Sequence, residues 1–84
     1  MKRDLPLPQR QIFLLDKDTG VLCRILGLYA ARGIAVDHLH FAHAAPRTMA
    51  LTITASADRE TLRVLIEKGA SLVGVIEAAS QVCG

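Results

Sequence analysis

The sequence lacks several features on which whole classes of function depend. It contains two phenylalanines, one tyrosine and no tryptophan among 84 residues. Its two cysteines, Cys23 and Cys83, are too far apart for a CxxC motif and too few for a disulfide framework. No apolar run approaches the ~18 residues of a membrane helix, and no signal-peptide pattern follows the charged N-terminal residues. We therefore expect a soluble, cytoplasmic protein.

A strong charge of either sign is also missing. There are 10 basic and 8 acidic residues, for a formal net charge of +2, which is too weak a bias to indicate nucleic acid or an anionic membrane as a partner. An RNA-recognition module can share the order of helices and strands derived below, but it needs clustered aromatic side chains on its sheet. Phe13, Tyr29 and Phe41 form no such cluster in the sequence. We expect neither a nucleic-acid nor a membrane partner.

Catalytic motifs are absent as well. The sequence has no GxSxG, no glycine-rich phosphate loop and no HExxH. Asp16 and Asp18 lie two residues apart in a predicted turn, where helix capping and solvation explain them better than a catalytic carboxylate pair. We expect no catalytic residues, no cofactor and no enzymatic activity.

Three histidines form the pattern H-x-H-x-x-H within a predicted strand. His38 and His40 project from the same face of a regular strand, so these two could share a metal ion. His43 points the other way unless the strand bulges. The chain thus offers no evident third ligand, and we expect no metal site. Solvent-facing or interface histidines are the favoured interpretation, and a metal binder is the alternative.

Hydrophobic periodicity predicts the order β-α-β-β-α-β. The first strand spans 10–16, where four consecutive apolar residues indicate a central strand buried on both faces. A helix follows the N-cap Asp18 and ends near Gly33. Its apolar stripe consists of Val21, Leu22, Ile25, Leu26 and Tyr29.

Two residues inside this first helix carry further expectations. Cys23 is predicted to be a small core residue. Gly27 costs helix stability, which a close approach of helix and sheet could offset.

The second half of the chain repeats the pattern. In a predicted strand over 34–44, the alternation of apolar residues changes parity partway along. A one-residue bulge near Asp37 or His38 would put the apolar residues on one face, namely Ile34, Val36, Leu39 and Phe41. A strand over 49–55 alternates cleanly. A helix capped by Asp58 is expected to stop at Gly69, before a last strand over 72–76.

These elements predict an α+β, ferredoxin-like fold. We expect a four-stranded antiparallel sheet with both helices on one face. The predicted domain spans 11–79, between a flexible arm over 1–10 and a tail over 80–84. A chain this small has a marginal core, and an open strand edge favours pairing with a second copy.

The segment from Phe13 to Ile34 resembles the opening of an ACT domain: a strand, a polar turn ending in Gly20-Val21-Leu22, a helix, then Arg32-Gly33 and an alternating strand. Within that family the segment Gly20–Tyr29 is most similar to the small regulatory subunit of acetolactate synthase, in its short form with a single ACT domain. The resemblance extends from Gln11 to Ala79.

The resemblance implies a regulatory role in branched-chain amino-acid biosynthesis. The chain would bind and activate the thiamine-diphosphate-dependent catalytic subunit of acetolactate synthase. The alternative is a free-standing amino-acid-sensing module that regulates another enzyme. Either would be a homodimer joined through the strand over 34–44, with these candidate interface residues: Ile34, Val36, His38, His40 and Phe41.

In the family, small amino acids bind between two chains. The corresponding candidate ligand residues are Lys17, Asp18, Thr19, Gly20, Val21, Leu22, Ala35, Val36 and Asp37. Backbone N–H groups at a helix start favour a carboxylate, and Gly20 permits close approach to the main chain. Valine-responsive subunits carry asparagine where this chain has Lys17 and Ala35, so we expect weak valine binding.

Overall fold

A computed structural model describes residues 7–82. The observed order of elements is the predicted one. Part of the predicted arm over 1–10 and of the tail over 80–84 lies outside the described residues, whereas residues 7–10 and 80–82 lie in strands. The elements are β1 (Leu7–Asp16), α1 (Thr19–Ala31), β2 (Val36–Ala45), β3 (Thr48–Ala57), α2 (Arg59–Ala70) and β4 (Val75–Val82).

The four strands form one antiparallel sheet in the order β2-β3-β1-β4. This confirms the predicted fold class, with β1 in the centre of the sheet. The two edge strands are β2 and β4, and each offers one row of backbone groups that no other strand of the described chain pairs with.

Alternation along the central strands places the core between the sheet and the helices. Phe13 and Leu15 of β1 lie beside Leu51 and Ile53 of β3, and all four are fully buried. The helices contribute Val21, Ile25, Tyr29, Leu62 and Leu65. The stripe predicted for α1 therefore faces the core.

The opposite side of the sheet is open. The alternate residues of β1, Ile12 and Leu14, are only half-buried. The prediction that the first strand is buried on both faces is therefore wrong for the open face, because the described chain places both helices against the other face.

A polar pair lies inside the core. The Tyr29 hydroxyl donates to Oε1 of Gln11 at 3.0 Å, and neither side chain is more than 1% exposed. Nε2 of Gln11 is buried without a hydrogen-bond partner among residues 7–82. Burial raises the pKa of Tyr29, because the phenolate would lose its hydration.

Both predicted helix caps are confirmed. Oδ1 of Asp18 accepts from the Gly20 N–H at 2.8 Å, and Oδ2 of Asp58 accepts from the Thr61 N–H at 3.0 Å. The hydrogen bonds from Thr61 hold the pKa of Asp58 below its usual value. Gly33 follows the end of α1 with φ of +65°, as a helix-terminating glycine commonly does.

The predicted bulge in β2 is present at Asp37. Val36 pairs with Ala55 and His38 pairs with Thr54, so Asp37 is the extra residue. Beyond the bulge, Leu39 pairs with the buried Ile53. The bulge thus puts Val36, Leu39 and Phe41 on the helix side. Ile34, the fourth residue of the predicted set, precedes the strand and is buried in the core.

The predicted last strand is present, but its predicted bounds are wrong. Val73 is 86% exposed and Gly74 has φ of +97°, a backbone conformation that a regular strand does not contain. The strand begins only at Val75 and continues through small and polar residues to Val82. Such a polar composition is compatible with a strand at the edge of the sheet, because only one face of that strand packs against the core.

Three predictions for single residues of the helices are also wrong. Cys23 is exposed on α1 and is not part of the core. Gly27 is exposed, and no atom of the described chain lies within 4 Å of the place that a Cβ would take, so no close approach to the sheet offsets its cost. Gly69 does not stop α2: it is buried within the last turn, where Phe13 lies against it.

Candidate ligand cleft and edge strand

Three turns meet at one end of the sheet. The Lys17 N–H, in the β1–α1 turn, donates to the carbonyl of Arg47 in the two-residue β2–β3 turn at 3.2 Å. The Asp16 N–H donates to the carbonyl of Gly74 in the α2–β4 turn at 2.8 Å. The start of α1 is therefore tied to both neighbouring turns through the main chain.

A cleft of about 550 Å³ opens where these turns meet. It is lined by Asp16, Lys17, Asp18, Pro46 and Arg47, all of them exposed. Among the described residues the ion pairs are those of Arg63 with Glu60 and Glu67, so neither basic side chain of the cleft is neutralised by a carboxylate contact. Two cations and two carboxylates around one small space suit a zwitterion such as an amino acid.

The main chain at the start of α1 offers fewer free N–H groups to a ligand carboxylate than the sequence indicated. The Asp18 N–H donates to Asp16 O at 2.7 Å, and the Val21 N–H donates to Asp18 O at 3.0 Å. The Gly20 N–H is held by the Asp18 side chain. Because these three N–H groups already have partners, a ligand carboxylate in this cleft would depend chiefly on the Lys17 and Arg47 side chains.

The candidate ligand residues do not come together within one chain. Lys17, Asp18 and Thr19 are exposed at the cleft end, whereas the Val21 side chain is buried in the core. Gly20 and Leu22 are half-buried. Ala35, Val36 and Asp37 lie at the opposite end of the sheet, where Val36 pairs with Ala55.

The candidate interface residues occupy both sides of one edge strand. His38 and His40 lie on the open face, since they pair with Thr54 and Thr52, whereas Val36 and Phe41 lie on the helix side. Ile34 is buried and precedes β2. The four candidate residues within β2 therefore share no face of the sheet. They share only a position on the strand whose outer backbone edge is unpaired in the described chain.

Sequence reasoning missed two features. Arg47 lines the cleft because β1 and β3 pair antiparallel, so that Asp16 lies opposite Thr48 and the hairpin turn falls beside Lys17. This register cannot be derived from the sequence until β1 and β3 are known to be neighbours in the sheet. Leu39 is 40% exposed on the edge strand β2, although the sequence pattern placed it only on the apolar face of that strand.

Comparisons with solved structures show the fold. The C-terminal domain of the MgtC protein from Mycobacterium tuberculosis superposes with a TM-score of 0.78 at 15% identity, over 99% of this chain and 93% of that chain. The ACT domain from GTP pyrophosphokinase of Chlorobium tepidum gives 0.76 at 12% identity, over 89% of this chain and 97% of that one. The chain has an ACT-like fold.

A third match is part of a much larger protein. A homoserine dehydrogenase from Thiobacillus denitrificans superposes with a TM-score of 0.68 at 16% identity, over 92% of this chain but only 18% of the dehydrogenase. No family model matches the sequence, and none of the curated proteins matches it. None of the helices within residues 7–82 combines the length and apolar character needed to cross a membrane.

Proposed function

We propose that this ACT-like chain is a non-catalytic regulatory module that forms a homodimer and acts on a partner enzyme. The observation that carries the proposal is the cleft between Lys17 and Arg47, a mixed-charge site at the joined turns of an ACT-like fold. The similar solved structures support it further. The first two are described as domains of larger proteins, and this chain matches only 18% of the third.

Pairing through β2 would complete the candidate ligand site. In a two-fold antiparallel pair, the start of one β2 lies beside the end of the other. The second copy's Ala35–Asp37 would then approach the end that carries Lys17 and Arg47. The two halves of the candidate site, which lie at opposite ends of one chain, would meet at the same end of the dimer.

The expected ligand is a small amino acid. Its carboxylate would contact Lys17 and Arg47, and its ammonium group would contact Asp16 or the second copy's Asp37. We expect valine to bind weakly, with a dissociation constant in roughly the millimolar range or above, because Ala35 has no side-chain polar group and Asp18 is engaged as a helix cap.

Calorimetric titration with valine, leucine, isoleucine and other small amino acids tests the cleft. Arg47→Ala should weaken the best ligand by about tenfold or more, since a charge-assisted hydrogen bond contributes ~1.5–3 kcal/mol. Arg59→Ala is the matched control, because Arg59 begins α2 and does not line the cleft. Equal losses in both variants would contradict the assignment.

The proposed partner is the thiamine-diphosphate-dependent catalytic subunit of acetolactate synthase, which this chain would activate. The test is co-purification of the two untagged chains, followed by acetolactate synthesis with and without this chain. A rise in activity supports the partner, and no association contradicts it.

The second candidate is a free-standing amino-acid sensor that regulates another enzyme. It is favoured by the similar solved structures, which include an ACT domain from GTP pyrophosphokinase and part of a homoserine dehydrogenase. Tight binding of an amino acid, combined with no association with the acetolactate synthase subunit, would select this candidate.

A further inference from the structure

The edge strand β2 carries two histidines that the proposed ligand cleft does not use. His38 pairs with Thr54 and His40 with Thr52, so both side chains lie on the open face of the sheet, and both are exposed. His43 pairs with the buried Met49 and therefore lies on the helix side. The strand thus separates one H-x-H pair from the third histidine.

Within one chain this pair is an incomplete metal site. Among the described residues no group of three or more histidine, cysteine, aspartate or glutamate side chains could hold a metal ion. On the side of β2 that pairs with β3, the residues opposite His40 and His38 are Thr52 and Thr54. Their hydroxyls can orient an imidazole by accepting its second N–H, but they are not the ligands that zinc prefers.

The outer side of β2 is the unpaired edge through which the proposed dimer would form. If two copies pair antiparallel around a two-fold axis perpendicular to the sheet, residues directly opposite one another project from the same face. The regular part of the strand lies between the register shifts at Asp37 and Ala44. Leu39 belongs to this part and lies between the two histidines; with Leu39 on the axis, His38 of each copy lies directly opposite His40 of the other.

This arrangement brings four imidazoles together on one face. Residues directly opposite each other in an antiparallel pair have Cβ atoms about 4.5–5.5 Å apart, and an H-x-H pair lies on one face of each strand. Neutral imidazole nitrogens are good ligands for Zn²⁺, which favours four ligands in a tetrahedron. Nickel and copper ions also accept imidazole.

We propose that two copies of this chain, joined edge to edge through β2, hold one divalent transition-metal ion between the His38 and His40 side chains of both copies. This inference rests on the homodimer of the proposed function. The metal would crosslink the two edge strands and so strengthen the dimer.

The experiment uses the full chain without a histidine tag, titrated with Zn²⁺ alone in a calorimeter. Sedimentation velocity in EDTA and in Zn²⁺ gives the oligomeric state. We expect one zinc ion per two chains and a dimer that dissociates less readily in zinc than in EDTA. His40→Gln should lower zinc affinity by roughly tenfold or more, since even second-sphere changes cost about 10- to 100-fold.

His43→Gln is the matched control, because it removes a histidine of the same strand from the opposite face. It should leave zinc binding unchanged. A loss equal to that of His40→Gln would overturn the assignment of the ligands, and so would one zinc ion bound per monomer.

The remaining outcomes separate the metal site from the dimer. A dimer in EDTA that takes up no zinc overturns the metal site and leaves the proposed function standing. A chain that stays monomeric with and without zinc overturns both. A monomer in EDTA that dimerises on adding zinc, with the one-to-two stoichiometry, supports the metal site and shows that pairing depends on it.

Discussion

At the scale of single residues, the Tyr29–Gln11 pair is the least expected feature of the core. Tyr29→Phe removes the hydroxyl that donates to Gln11 Oε1 and leaves the whole amide buried without partners in the described chain. Because an unsatisfied buried polar group costs about 1–3 kcal/mol, we expect a loss of that size in the free energy of unfolding, measured by urea denaturation.

The control for this change is Gln11→Met added to Tyr29→Phe. Replacing both members of a hydrogen-bonded pair with apolar groups of similar shape can be nearly neutral, so the double variant should recover most of the loss. A single variant as stable as the unmodified chain would show that the hydrogen bond contributes nothing.

The same tyrosine predicts a loss of stability in alkali. In the unfolded chain Tyr29 ionises near its usual pKa of about 10, whereas burial raises its pKa in the folded chain. Above about pH 10 the unfolded state therefore binds fewer protons than the folded state, and the free energy of unfolding falls by up to ~1.4 kcal/mol per pH unit. Below that pH the contribution of Tyr29 is constant.

Urea denaturation between about pH 9 and about pH 11 measures this slope. Tyr29→Phe lacks the titrating group, so its stability should fall less steeply over the same range. Parallel pH profiles for the two chains would contradict the assignment to Tyr29.

At the scale of elements, two glycines of the helices predict changes of opposite sign. A Cβ atom on Gly69 would lie 2.8 Å from Cε2 of the fully buried Phe13. Gly69→Ala should therefore destabilise the chain by about 1–3 kcal/mol, as overpacking of a core does. Thermal unfolding measures the change.

Gly27→Ala is the matched substitution in the other helix. Within residues 7–82 nothing lies within 4 Å of the added Cβ, and Gly27 is exposed in the interior of α1. Alanine should therefore stabilise the helix by about 0.5–1 kcal/mol. Stabilisation by both substitutions would contradict the close contact between Gly69 and Phe13, and destabilisation by both would contradict the open space described around Gly27.

At the scale of the whole molecule, the two sheet edges differ in their expected role. Leu39 on β2 is 40% exposed, and Ile76 on β4 is 57% exposed. If pairing occurs through β2, Leu39→Lys should weaken the dimer by roughly tenfold or more, because a charge on an edge strand opposes pairing. Ile76→Lys should leave it unchanged. Sedimentation equilibrium measures both dissociation constants, and a greater effect of Ile76→Lys would assign the interface to β4.

The order of the elements could be predicted from the sequence alone, because the local signals are strong. Asp18 and Asp58 marked both helix starts, and the phase shift between Val36 and Leu39 located the bulge now seen at Asp37. Alternation and helical spacing identified most of the core. These features depend on neighbouring residues, which a pattern along the chain records directly.

Features that depend on contacts between residues distant in sequence became evident only in the folded chain. Gly69 is buried because Phe13 packs against it, and Arg47 lines the cleft because the antiparallel register of β1 and β3 brings it beside Lys17. The last strand was misplaced for the same reason: its pairing with β1, and not apolar residues of its own, makes it a strand. Strand pairing joins residues far apart along the chain, so its consequences enter no local pattern.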